Sequence, residues 1–253
     1  MDKQTDEKGE MGHLHPVTTL IREISTIFSS LGFEVADGSE IEDEKHNFDA
    51  LNVPKDHPAR DMQDTFWLKG RKDTVLRTHT SPVQIRYMEE KMKEQSEPPF
   101  KIIVPGKVFR YEATDATHET QFHQIEGLVV GKDITMAHLK GVLDKLLKEI
   151  FGDDIKIKFR PSYFPFVEPG VEIDMVCFRC KGDGCPSCKQ SGWIEILGAG
   201  MVHPNVLNGV GIDPDKWQGY AFGVGVERIA MLKYGIDDVR QLYSGDLRLV
   251  NQF

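Results

Sequence analysis

Residues 109–127 read FRYEATDATHETQFHQIEG. A β-prone run enters from Val108, a polar loop occupies 113–121, and a second β-prone run leaves through Phe122–Val130. Side chains alternate along a strand, so Val108, Arg110 and Glu112 share one face of the first strand. Gln124, Glu126 and Leu128 share one face of the second, and its reverse carries Ile125 and Val129, suited to packing on helices. A sheet with one solvated face would show the same alternation. The loop, with Asp115, His118 and Glu119, points further. An Arg at the end of one strand opposite acids on the next can hold an anion and an amine side by side.

Outward from this hairpin the periodicity changes. Pro16 opens a helix, with Val17, Leu20, Ile21, Ile24, Ile27, Phe28 and Leu31 on one face and Gly32 as its stop. Residues 33–41 read as a strand and 42–64 as acidic and irregular. Residues 65–68 and 74–78 read as short strands, and Ser81-Pro82 caps a helix to about Gln95. Before the loop, 102–104 and 108–112 read as two strands. Asp133 or Thr135 caps a third helix, with Leu139, Leu143, Leu146 and Ile150 inward. Strands are expected at 155–160, 171–177, 193–198 and 219–223, and a short helix from about Val226 to Lys233, stopped by Gly235. Strands with helices before and between them, without βαβ alternation, predict an α+β fold: an antiparallel sheet flanked by helices.

The chain has 253 residues, 40% hydrophobic and 28% charged, with 31 basic and 40 acidic residues and a net charge of −9. That balance excludes wholesale disorder and a fibrous protein, and it argues against a small basic DNA-binding module. A local basic patch can still hold nucleic acid. No apolar run approaches a membrane span, and the polar start, MDKQTDEKGEMG, has no signal-peptide core. The expectation is a soluble cytoplasmic protein without a membrane partner. Residues 1–12 read as a disordered lead-in and 13–253 as the working domain.

Two further constellations carry chemistry. In AFGVGVERIAML, 221–232, Gly223 and Gly225 let backbone approach a ligand, and Arg228 on the first helical turn suits a phosphate clamp. A Gly-rich turn into a core helix with a surface Arg is the plainer alternative. All four cysteines lie in a Cys-rich hairpin at 176–193, as Cys177-x-x-Cys180 and Cys185-x-x-Cys188. Paired CxxC knuckles suit a tetrahedral zinc site, and four reduced thiols are the alternative.

Taken together, these segments resemble the three signature motifs of class II aminoacyl-tRNA synthetases: helix and strand at 15–41, the hairpin at 109–127, and GVGVER at 223–228. RTHTSPVQIR at 77–86, YFPFVEPGVEIDM at 163–175, GAGMVHPNVL at 198–207 and YAFGVGVERIAMLKYGIDDVRQLY at 220–243 are more particular. They resemble the catalytic α-subunit family of bacterial phenylalanine–tRNA ligases. The resemblance implies that Arg110 grips the ATP α-phosphate and the amino acid's carboxylate end. It implies that Glu112 and His118 hold adenine and the outer phosphates, with Gly223 and Arg228 completing the ATP site. His79, Ser81, Gln124 and Glu126 would bind the amino acid's polar end under Trp67. Phe164 and Phe166 would meet its ring, with Ala221 as floor. Glu168 would hold a Mg2+ shared with a β subunit, in an α2β2 heterotetramer that charges tRNA-Phe. Within this family the Cys hairpin reads as structural; alone, it would equally suit a zinc-knuckle RNA or chaperone module.

The chain departs from the family at Ser39, where Pro is usual, and it lacks the N-terminal coiled-coil arm that reaches for tRNA, as a truncated or reduced form would. The implied reaction is attack of the phenylalanine carboxylate on the α-phosphorus of ATP, followed by acyl transfer. It needs positioning and charge stabilisation rather than a protein nucleophile. Two rivals stand beside this reading. One is a non-enzymatic paralogue that only binds a metabolite or regulator; loss of Arg110 or Arg228 would favour it, and both are present. The other is a synthetase for another large amino acid. The aromatic pair and the small Ala221 favour an aromatic ring, and no acceptor is evident at the pocket floor for a tyrosine hydroxyl.

Overall fold

The structure, a computed structural model, describes residues 13–55 and 65–253. The lead-in at 1–12 and the 56–64 part of the irregular tract lie outside the described residues. Helix α1 (Pro16–Ser30) starts with Pro at its first position, and His15 caps it by accepting from the Val17 N–H. Its buried face is Val17, Leu20, Ile24 and Phe28. Two short strands follow, β1 (Glu34–Val35) and β2 (Ile41–Asp43), then α2 (Glu44–Asn47), a 3₁₀ turn (Asp49–Leu51) and β3 (Thr74–Leu76). Helix α3 (Ser81–Lys93) leads to the long hairpin β4 (Phe100–Phe109) and β5 (Gln121–Gly131). Helix α4 (Met136–Phe151) precedes β6 (Ile157–Phe164), β7 (Val167–Val176) and β8 (Trp193–Val202). The chain closes with α5 (Pro204–Gly209), β9 (Gln218–Gly225), α6 (Val226–Tyr234), a 3₁₀ turn (Val239–Tyr243) and α7 (Leu247–Val250).

Seven strands form one sheet in the order β1-β4-β5-β9-β8-β7-β6, and β2 pairs with β3 separately. Every pair in the large sheet is antiparallel except β1–β4. The α+β expectation therefore holds. The register fixes two faces. On the back, α1, α4 and α6 cover Ile103, Ile125, Val129, Tyr220, Phe222 and Val224. Phe28 stacks on Phe222 at 5.2 Å between ring centroids. Gly127 is the bed of the Phe222 ring, since a Cβ there would lie 2.1 Å from it. Burying each large apolar side chain contributes roughly 1.5–3 kcal/mol, so this face carries most of the fold's stability. Among the described residues the front is covered at one end only, by α3, α5 and the 48–53 segment over Ile102, Leu128, Val130 and Val202.

Several expected elements differ. The single strand over 33–41 is two strands in two sheets. The turn between them presents the Gly38 and Ser39 carbonyls to Arg77 Nη1 at 3.0 and 3.2 Å. Residues 42–51, expected to be irregular, are strand, helix and 3₁₀ turn. Residues 65–68 give only a bridge from Trp67 to Val75. β4 is one strand through Pro105-Gly106, not two. Its β1 neighbour ends opposite Ile103, so Pro105 sits on a free edge where no N–H is needed. Gly106 admits the Arg77 guanidinium, which would lie 2.2 Å from a Cβ there. The strand stops at Phe109, so Glu112 is not on it. Ser81 is the first helical residue of α3 and does not cap it; its hydroxyl is spent elsewhere. Thr135 rather than Asp133 caps α4, and its N–H donates to His138 Nδ1 at 3.1 Å.

Candidate active site

The uncovered end of the front face is a cleft of about 850 Å³. Its floor is small by register: Gly223 faces Glu126 on one side and Gly198 on the other, and Ala221 faces Leu128 and Gly200. Small residues at paired positions on two adjacent strands, β9 and β8, leave the volume that side chains fill on the back.

Glu126 lies at the centre, 5% exposed. Ser81 Oγ donates to its Oε2 at 2.6 Å and Gln84 Nε2 at 2.8 Å, and the Thr80 N–H also donates to it. Burial pushes its carboxyl up to about 7, against the opposing pull of those donors and of Arg110 and Arg77. His79 is also buried. Burial first, then the charge of Arg110, pushes its pKa down to about 3, so the ring is neutral. It bonds the Asn47 backbone, and its Nδ1 is left with no partner among the described residues. Gln124 Oε1 is likewise unpartnered. Buried polar atoms are rarely left so. Two unpartnered acceptors, His79 Nδ1 and Gln124 Oε1, therefore line the cleft with the Glu126 carboxylate, which is a socket for a group rich in N–H, such as an ammonium.

Beside this socket Arg110 Nε donates to the Thr78 carbonyl at 3.0 Å, and its guanidinium lies over the Phe122 ring at 5.0 Å. Burial lowers its pKa, offset by Glu112 and Glu126. On the other side Phe164 and Phe166 lie with ring centroids 5.9 Å apart and planes at 24°, the Phe164 ring over Gly198, and Ala221 lines the same cleft. An anion subsite, an ammonium socket and an aromatic slot thus lie along one cleft.

The structure brings His79, Ser81, Arg110, Gln124, Glu126, Phe164, Phe166, Ala221 and Gly223 to this cleft. The other candidates do not line it. Trp67 is 54% exposed and forms an antiparallel bridge to Val75. His118 is exposed, its Nδ1 3.0 Å from Asp115. The Glu112 N–H donates to the Arg110 carbonyl at 2.9 Å, and its carboxylate acts on Arg110 by charge. Arg228 Nε donates to the Glu195 carbonyl at 3.3 Å. Glu168 is exposed and paired with His203 at 3.3 Å.

Sequence reasoning missed Gln84, Phe122, Glu172 and Glu195, all lining the cleft. Helical spacing from Ser81 would have found Gln84, and strand alternation from Gln124 would have found Phe122. Glu172 accepts from Ser162 at 2.7 Å and pairs with Arg160. The Glu195 carboxyl is pushed up, first by burial and then by the nearby charge of Glu172.

The four cysteines are free thiols at the hairpin between β7 and β8. Cys177–Cys185, Cys180–Cys188 and Cys185–Cys188 have Sγ atoms 3.7 Å apart, and all four lie within 4.8 Å of one another. A tetrahedron of sulfurs about 2.3 Å from a metal has edges of about 3.8 Å. Backbone N–H groups of Gly184, Cys185 and Gly192 also point at Cys180 and Cys188 Sγ, at 3.1–3.3 Å. The donor set fits zinc.

Among the described residues no helix is long and apolar enough to cross a membrane. The family described as tRNA synthetases class II core domain (F) matches residues 2–253. The phenylalanine–tRNA ligase alpha subunit of Dehalococcoides mccartyi (strain CBDB1) is 57% identical over 249 residues, covering 96% of this chain and 70% of the relative. The subunit of the same name from Staphylococcus saprophyticus is 57% identical over 243 residues, covering 96% and 68%. That from Bacillus subtilis (strain 168) is 56% identical over 243 residues, covering 96% and 69%.

Proposed function

This chain belongs to the class II core-domain family of tRNA synthetases, and from that premise we propose that it activates phenylalanine with ATP and passes the acyl group to tRNA-Phe, as the α subunit of a phenylalanine–tRNA ligase. The observation that carries the choice of substrate is the junction of the unpartnered acceptors around Glu126 with the Phe164–Phe166 slot, His79 and Phe166 lying with ring centroids 6.5 Å apart: a place for an ammonium beside a place for an aromatic ring.

The chemistry follows from placement. Glu126, His79 and Gln124 accept from the ammonium and turn the carboxylate toward Arg110. The ring enters over Ala221, and a tyrosine hydroxyl left without a partner there would be a buried unsatisfied group. Arg110 holds the carboxylate against the α-phosphate and stabilises the charge that builds on the phosphorus. It is already fixed by Thr78 and Phe122, so little reorganisation is needed. Arg228, on the first turn of α6, and His118, on the 113–120 loop, take the outer phosphates. Glu112 meets the adenine end, and Trp67 closes the amino-acid end.

Glu172 and Glu195 are the cleft carboxylates that would hold magnesium, with Arg160 already lying against both. Bound there, the ion would neutralise the phosphates. Glu168, exposed beside His203, is the ligand we assign to a second magnesium site completed by a β subunit in an α2β2 assembly. The cysteine knot holds a structural zinc. Metal analysis of protein purified without added zinc should give one zinc per chain. Four freely titrating thiols and no metal would reject that site.

The decisive experiment is ATP–pyrophosphate exchange with each large amino acid, on the chain alone and with its β subunit. Exchange that depends on phenylalanine supports the reading. Exchange driven by another amino acid, or none with any, overturns it.

A further inference from the structure

We infer that Glu227 is a positioning residue: its carboxylate sets the Arg228 helix and the 113–120 loop against strand β5. Glu227 is 4% exposed and precedes Arg228 on the first turn of α6. The ladder between β5 and β9 ends at Gln124 and Gly225, because β9 turns up into the helix there. The Glu227 carboxylate takes over where that ladder stops. It accepts the His123 N–H on both oxygens, at 3.0 and 2.9 Å. His123 Nδ1 lies 2.8 Å from Oε1, and the Tyr243 hydroxyl donates to the same oxygen at 2.5 Å.

Each of these partners leads to the cleft. His123 stands between Phe122 and Gln124, whose side chains line it. Tyr243 ends the 3₁₀ turn whose first N–H, from Val239, donates to the Ala116 carbonyl at 2.9 Å, inside the loop that follows Arg110. One carboxylate therefore joins the strand that carries the amino-acid socket, the helix that carries Arg228 and, through Tyr243, the loop that carries His118. Arg228 has one long backbone contact of its own, so its place depends on where the helix starts. Glu227 touches no substrate in this arrangement. Its effect belongs to the ATP side of the cleft, since the amino-acid socket has its own supports in Ser81, Gln84 and Thr80.

This inference rests on the phosphate role assigned to Arg228. The test is pyrophosphate exchange by the chain assembled with its β subunit, for wild type, Glu227→Gln, Tyr243→Phe, Arg228→Ala and the pairwise combinations. Glu227→Gln turns an amide toward donors that need an acceptor. It should raise the KM for ATP about tenfold or more, while the KM for phenylalanine stays within about twofold, because small misplacements of a binding group cost rate steeply. In the Arg228→Ala background the same change should add less than about twofold, since two groups that act through one another are not additive. Tyr243→Phe keeps the ring in place and should shift the KM for ATP in the same direction by less; it carries the test if the Gln variant does not fold. Equal rises in both KM values, full additivity with Arg228→Ala, or an unchanged KM for ATP in folded variants would overturn the inference. Wild-type assembly inactive with phenylalanine would instead overturn the function proposed above.

Discussion

On the back of the sheet Ile103, Ile125, Phe222 and Val224 are each at most 2% exposed, while the front rows of the same strands hold Gly106, Ala221, Gly223 and Gly225. One backbone thus carries a filled side and an emptied side, one residue out of phase. The filled side spends its residues on volume and makes the fold. The emptied side gives volume up and lines it with Glu126, Gln124, Glu172 and Glu195. A change on one face should therefore move stability, and a change on the other should move rate.

The largest effect is expected on the back. Phe222→Ala should cost about 3–5 kcal/mol in denaturant unfolding, because the ring fills the space between Phe28 and Gly127. A loss under about 1 kcal/mol would show that the back is not close-packed. On the front, Arg110→Ala should lower the exchange rate about 10²–10³-fold and leave the unfolding midpoint nearly where it was. A near-normal rate would break the division of labour at its strongest point.

The third test turns on pH. The Glu126 carboxyl sits at about 7, above its ordinary 4.5, because it is buried. The folded free protein therefore binds more protons than the unfolded chain between those values, and its stability should fall as pH rises through that window. Ammonium binding needs the carboxylate form. The KM for phenylalanine should thus drop about tenfold per pH unit as pH rises toward 7, then level off. Glu126→Gln should bind phenylalanine poorly and with a flat profile; a sloping profile in that variant would assign the titration to another group. The smallest effect is at Ala221→Gly. Removing one methyl beneath the ring should shift the ratio of para-chlorophenylalanine to phenylalanine about fourfold, the worth of about 0.8 kcal/mol. An unmoved ratio in folded protein would place Ala221 away from the para position.

Much of this was legible in the chain because strand alternation writes both faces directly. Gln124 and Glu126 against Ile125 and Val129 was enough to orient β5. What was not legible depended on neighbours that sequence does not name. Pro105-Gly106 reads as a break, and it is not one, because the edge is free at Pro105 and a buried Arg77 presses on Gly106. Ser81-Pro82 reads as a cap, yet Ser81 answers to a carboxylate 45 residues away. Glu172 and Glu195 stayed hidden because a strand of mixed charge looks like any solvated surface until the strands beside it are known. The cysteine knot was the opposite case: local spacing alone announced it, and the Sγ separations are those of a tetrahedron.

The strand order has a consequence for how the chain is made. β9, the last strand of the described chain, sits between β5 and β8, in the middle of the large sheet. Until it is synthesised, β4–β5 and β6–β7–β8 are separate hairpin assemblies, each with an open inner edge of unpaired N–H and C=O groups and an apolar back. Such edges recruit other strands readily, and non-local closures are slow. Vectorial synthesis therefore leaves this protein sticky until β9 arrives, and a nascent chain stalled short of Gln218 should aggregate or call on chaperones, where one extended a few residues past Gly225 can close its sheet.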